Sequence, residues 1–150
     1  MNLKQTIEAD IKQAMLAKDK DRLRALRGIK SMILLAETEK GAQGELSEDA
    51  EVKLLTKAAK QRKDSAEMYE KNGRHDLAET EKAELEVINS YLPKQLNEAE
   101  LKKALLEIIA ETGASGPQDI GKVMGVATKR LAGKAEGKLI SFHAKNLLAQ

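Results

Sequence analysis

Leu3, Ile7, Ile11, Ala14 and Met15 fall on one side of a helix, and their spacing predicts a first helix from about Leu3 to Ala17. Asp19 and Asp21 suit the positive end of a second helix, whose apolar face runs through Leu23, Leu26, Ile29, Met32, Ile33 and Ala36. Gly41 and Gly44 then end it in a short loop. Ser47 followed by Glu48 and Asp49 caps a third helix, in which Val52, Leu55, Ala59, Arg62, Ala66 and Tyr69 alternate steps of three and four. That narrow seam predicts one flank of an antiparallel hairpin. Asn72-Gly73 breaks it, and Leu77, Ala78, Glu81, Leu85, Ile88 and Leu92 form the inner side of a fourth helix. Because charged residues interrupt the seam, the hairpin is expected to be thin and washed by solvent.

Pro93 ends the fourth helix, since proline lacks an amide hydrogen and disfavours helical geometry in Leu92. Asn97 with Glu100 reads as a capping box opening a fifth helix, with Leu101, Leu105, Ile108 and Ile109 on one face and Gly113 as its left-handed stop. Ser115-Gly116-Pro117 restarts the chain into a sixth helix with Ile120, Val123, Met124, Ala127 and Leu131 inward. A turn bracketed by Gly133 and Gly137 leads to a last helix carrying Leu139, Ile140, Ala144, Leu147 and Leu148. The expected architecture is all-α, with an N-terminal helical hairpin region over 1–92 joined to a small three-helix bundle over 93–150.

Composition agrees and narrows the chemistry. Charged residues make up 33% of the chain and aromatics 2%, so the core must be aliphatic and offers little material for an aromatic-walled ligand cavity. The absence of cysteine removes disulfides, thiolate nucleophiles and thiolate metal sites. His75 is expected to be exposed beside Gly73, and His143 to pack at the bundle edge with Leu139 and Leu147; the two make no ligand set and have no evident catalytic partners. No catalytic group, metal site or cofactor is therefore expected. The longest apolar run, Met32 to Ala36, is far too short for a membrane span, and the first residues carry no basic-then-apolar signal, which together suggest a cytoplasmic protein without a membrane partner.

Charge is divided unevenly. Residues 1–92 hold 17 Lys/Arg against 18 Asp/Glu, residues 93–150 hold 9 against 6, and from Gly113 onward the ratio is 6 to 2. An anionic partner for the C-terminal end is the natural reading. Lys122 and Lys129 stand seven residues apart on one side of the sixth helix with Arg130 beside them, and Lys134 and Lys138 flank the next turn. Such a stripe suits phosphates, with arginine adding bidentate contacts, although a merely solvated face is the plainer reading of the same residues. Gly121, Gly125, Thr128 and Ala132 form a small-residue stripe for a close approach, by a neighbouring helix in preference to an RNA backbone. Lys20, Arg24 and Arg27, and Lys53, Lys57 and Lys60, read as solvated faces. Base-stacking aromatics are nearly absent, so nucleic-acid contact should be shape and phosphate recognition.

Tyr91-Leu92-Pro93-Lys94-Gln95-Leu96, Ile120-Gly121-Lys122-Val123-Met124-Gly125 and Gly133-Lys134-Ala135-Glu136-Gly137-Lys138, together with Leu23-Arg24-Ala25-Leu26-Arg27-Gly28-Ile29-Lys30, resemble the GatB/YqeY family along essentially the whole chain. The resemblance implies that residues 93–150 are similar to the tail domain of GatB, the tRNA-recognising subunit of a glutamine-dependent amidotransferase, where the tail is associated with tRNA binding. It also implies an association with carbon–nitrogen ligase activity using glutamine, whose glutaminase and kinase parts have no counterpart here. The expected function is that of an accessory protein binding tRNA or a tRNA-handling protein, without its own catalytic site, as a monomer or weak homo-oligomer. The alternative is a protein-interaction adaptor that docks a partner through the helical hairpin.

Overall fold

The computed structural model describes residues 2–39 and 44–150, and among them there are seven α-helices, one 3-10 turn and no strand. The chain divides into two compact units at Leu92 and Pro93. Gly41, expected to help end the second helix, lies outside the described residues.

In the first unit, α1 (Leu3–Ala17) opens on a capping box in which Asn2 accepts from the Gln5 amide and Gln5 accepts from the Asn2 amide. It ends on Lys18 in the left-handed region, φ 56°, an unusual conformation for a side chain that lets Asp19 immediately cap α2 (Lys20–Thr38). The two helices share Ile7, Ala14, Leu26, Ile29 and Ile33, the isoleucines and leucine at most 2% exposed. Burying each such side chain contributes about 1.5–3 kcal/mol. Ser47 caps α3 (Glu48–Lys71), which pairs with α4 (His75–Asn89).

Three expectations are corrected by the structure of this unit. The buried face of α3 is Leu54, Leu55, Ala58 and Ala66, so it takes in Leu54 and Ala58, which a strict three-four seam omits. The acids of the hairpin seam are also shielded from solvent, although the arginines that pair with them keep access to water. The Glu84 carboxylate, with its side chain 10% exposed, stands 3.4 Å from Arg62 and 3.5 Å from Arg24, and Arg62 lies 2.8 Å from Glu81. Arg24 is exposed and pairs with Asp21 at 3.2 Å, as expected of a solvated face, and from there it also reaches Glu84 of α4. α4 also stops at Asn89, before Leu92, because Tyr91 and Leu92 fold into a turn on the carbonyls of Ile88 and Asn89. That turn aims the Tyr91 hydroxyl at Asp10, to which it donates, while Arg22 donates to Tyr91 at 3.3 Å. Burial, then the hydrogen bond to Asp10, pushes the Tyr91 hydroxyl well above its ordinary pKa.

In the second unit, Asn97 and Glu100 form the capping box of α5 (Glu98–Thr112), and Gly113 stops it at φ 68°. A 3-10 turn (Pro117–Asp119) runs into α6 (Ile120–Arg130), with the Asp119 carboxylate accepting from the Ser115 amide at 2.9 Å. α7 (Gly137–Leu148) completes the bundle around Leu105, Ile108, Val123, Ala127, Ile140 and Ala144. The segment before α5 is pinned to the α6–α7 turn: the Leu96 amide donates to Lys134 O at 2.9 Å, and the Gln95 side-chain amide donates to Gly133 O.

Candidate nucleic-acid interface

The five cations expected to meet phosphate all belong to α6, the following turn and the first turn of α7, but their surroundings differ. Arg130 is the most committed. Its guanidinium grips Glu111 of α5 through two parallel bonds of 3.0 and 2.6 Å, the same fork that was expected to take a phosphate. The contact raises the arginine pKa and lowers that of the Glu111 carboxyl. Both side chains are about half exposed, and the paired, two-bond geometry is the kind that holds best at a surface. Lys122 reaches Asp119 only at 3.7 Å and remains exposed. Lys134 is half-buried, and its backbone carries the clasp to Leu96. Lys129 and Lys138 are exposed and make no ion pair with any described residue.

The sequence segments that looked most motif-like therefore serve two purposes. Gln95-Leu96 and Gly133-Lys134 meet each other, and their hydrogen bonds shape the turn that carries Lys134 and Lys138.

The glycines of α6 depart from expectation. Gly121 and Gly125 were expected beneath a neighbouring helix, yet both are exposed, and a methyl group built on either would meet nothing within 4 Å. The reason is the register of α6. Val123, Ala127 and Leu131 take the inward face, which turns the small-residue stripe with Thr128 outward beside Lys122 and Lys129. Gly125, inside the helix and in the open, forgoes about 0.8–1.0 kcal/mol of helix propensity with no packing gain to offset it, while Gly121 lies in the first turn.

The histidines also divide. His75 is exposed and its Nδ1 lies 2.7 Å from Glu70. His143 packs at the bundle edge as expected, 8% exposed, where it lines an open cleft. Among the described residues there is no group of three or more His, Cys, Asp or Glu placed to hold a metal, and no helix is long and apolar enough to cross a membrane.

The molecule is thus an all-helical protein of two units, the second with cations and bare helix backbone on one outer face. It belongs to the YqeY-like protein family, whose description matches residues 4–148. Among its relatives are proteins named "Altered inheritance of mitochondria protein 41, mitochondrial". That of Lachancea thermotolerans is 40% identical over 74% of this chain and 60% of its own length. That of Clavispora lusitaniae is 37% identical over 73% and 64%. That of Candida glabrata is 34% identical over 87% and 69%. The chain spans less than two thirds of the first two. These names overturn the cytoplasmic expectation. It rested on the lack of a basic-then-apolar signal, but mitochondrial leaders are amphipathic and arginine-rich, so that lack says nothing about this compartment.

Proposed function

We propose that the second unit is an RNA-binding module, with folded tRNA as its target, and that the protein acts as an accessory to tRNA-dependent transamidation without performing the chemistry itself. The observation that carries this reading is the outer face of α6 and the turn after it. There Lys129 and Lys138 are unpaired among the described residues, Lys122 is loosely paired, and Gly121 and Gly125 expose helix backbone between them. Lysines projecting from a surface without side-chain bulk suit a phosphate backbone, which needs close approach and positive charge but no base-specific pocket. Arg130 joins only by giving up its two bonds to Glu111, and Lys134 supports the turn. The mitochondrial names of the relatives extend the reading to organellar tRNA as the first substrate to try.

The adaptor alternative depended on apolar hairpin positions left open for a partner. Leu55, Ala66, Ala78 and Ile88 are buried inside the first unit, while Met68 is 61% exposed and Leu77 and Leu85 are half-buried, so the RNA reading is preferred for the charge on the second unit and not for want of an apolar hairpin surface.

The test is titration of labelled tRNA at two salt concentrations with duplex DNA as competitor, on the wild type and on a Lys129→Glu, Lys138→Glu double variant. The expected result is binding that weakens steeply with salt. The variant should bind more weakly, with a salt slope shallower by about 0.7–0.9 for each phosphate it no longer neutralises. Absence of binding at low salt, or equal affinity of the variant, would overturn the proposal.

A further inference from the structure

A cleft of about 180 Å³ opens in the first unit where α2 meets α3 and α4. It is smaller than the roughly 300–1,000 Å³ of drug-sized sites, so its occupant must be small. The floor is aliphatic, made by Ile29, Ala58 and Ile88, each at most 4% exposed, with Met32 half-buried beside them. Gly28, in the middle of α2, stands at the lip. A helix-interior glycine is unfavourable, and packing does not require this one, because a methyl group built on it would meet nothing within 4 Å. Space is thus kept open over an apolar floor. The polar lining is unmatched in two ways. Glu84 is 8% exposed and borders the cleft, yet its carboxylate meets only Arg24 at 3.5 Å and Arg62 at 3.4 Å, beyond the roughly 2.7–2.9 Å of a close charged hydrogen bond. Arg62 is shared with Glu81 at 2.8 Å, and the buried Oε2 of Glu81 still has no hydrogen bond among the described residues. With Asp21 also on Arg24, three acids divide two guanidiniums, and the buried acids are short of donors. Donors are unused as well. Arg24 reaches both of its acids through Nη1 alone, which leaves Nε and Nη2 without a partner among the described residues, and the Gln61 side chain makes no hydrogen bond there either.

We propose that this cleft binds a free α-amino acid with an aliphatic side chain. An acid in want of a cationic donor and a guanidinium in want of an acceptor border one small space above an aliphatic floor, and a zwitterion with an apolar side chain satisfies all three. The ligand's ammonium donates to Glu84. Its carboxylate accepts from Arg24 and the Gln61 amide, and its side chain covers Ile29 and Met32 in the space beside Gly28. A simple amine would leave Arg24 and Gln61 unmatched, and a simple carboxylate would face Glu84 without a donor to offer it. The site belongs to the first unit and does not rest on the RNA reading of the second.

The test records amide NMR spectra of the full chain titrated with leucine, isoamylamine, isocaproate and glycine, the last three lacking in turn the carboxylate, the ammonium and the side chain. Leucine should shift the Gly28 and Ala58 amides and saturate. Isoamylamine and isocaproate should each bind roughly 10- to 100-fold more weakly, the usual contribution of a hydrogen bond to a charged group. Glycine should bind more weakly than leucine for want of a side chain over the floor. In Arg24→Gln the preference for leucine over isoamylamine should shrink while the preference over isocaproate remains, a split that a general loss of stability does not produce. Gly28→Leu should fill the cleft and abolish the Ala58 shift with helicity unchanged by circular dichroism, since the position is exposed and open. The absence of any shift with leucine at millimolar concentration would overturn the proposal. So would a wild-type response to isoamylamine or isocaproate equal to that for leucine, or leucine binding that persists in Gly28→Leu. The tRNA titration reads the second unit separately, so the failure of either proposal leaves the other standing.

Discussion

Removing Arg62 should destabilise the first unit more than removing the charge of Glu84, although each change breaks the same 3.4 Å pairing. The asymmetry follows from what is left behind. In Glu84→Gln, Arg62 keeps Glu81 at 2.8 Å and Arg24 keeps Asp21 at 3.2 Å, and both guanidiniums retain access to water. In Arg62→Ala, Glu81 and Glu84 lose their common counter-charge while their side chains remain 14% and 10% exposed. Glu84 then has only Arg24 at 3.5 Å. Glu81 has less, because its buried Oε2 was held by the nearness of Arg62 without an N–H aimed at it. The gross attraction across 3.4 Å is roughly 5 kcal/mol at an effective dielectric constant of about 20, and desolvation offsets much of it. Breaking a fully buried pair costs about 3–5 kcal/mol and an exposed one about 0–1. With buried acids and half-exposed arginines, the expected losses are about 2–3 kcal/mol for Arg62→Ala and about 1 kcal/mol for Glu84→Gln. Urea denaturation followed by tyrosine fluorescence measures this without interference from the second unit, because both tyrosines, Tyr69 and Tyr91, belong to the first. Equal losses, or a larger loss in Glu84→Gln, would falsify the account of an internal charge cluster.

Gly125→Ala separates helix stability from ligand approach: an added methyl group meets nothing within 4 Å, so the second unit should gain about 0.5–1 kcal/mol in denaturation while tRNA affinity falls. Unchanged affinity in the stabilised variant would mean that nothing lies against the glycines. Asp119 supplies a pH-dependent contact. Its carboxyl is held below its ordinary value of 3.8, first by the Ser115 amide hydrogen bond. A depressed acid stabilises fully above its unfolded pKa, and that contribution disappears as pH falls through the lower folded value. The acid-side loss of stability in the wild type should therefore include a component missing from Asp119→Asn, whose curve should be flatter below about pH 4. Parallel curves would refute it.

Helix positions were legible wherever local chemistry decides them. Leu3–Ala17, the Ser47 cap, the Asn97–Glu100 box and the Gly113 stop each depend on residues within one turn of one another. The end of α4 was not: Tyr91 and Leu92 leave the helix in a turn on the carbonyls of Ile88 and Asn89, from which Tyr91 reaches Asp10, a residue 81 positions away. The hairpin charges were misread for the same reason. Periodicity identifies Arg62 and Glu81 as facing inward, but only the packing of α2 across both helices brings in Arg24 and excludes solvent from Glu84.

The proposed RNA-binding surface shows a different limit. A charge count gives every cation the same weight, whereas the fold assigns Arg130 to Glu111 and draws the backbone of Lys134 into a clasp, leaving Lys129 and Lys138 unpaired among the described residues. Phe142 illustrates the converse. Set three residues from Leu139 and five from Leu147, it passes for the margin of an apolar stripe. Its exposure follows from the register in which Ile140 and Ala144 take the core, and that register also buries His143 next to it.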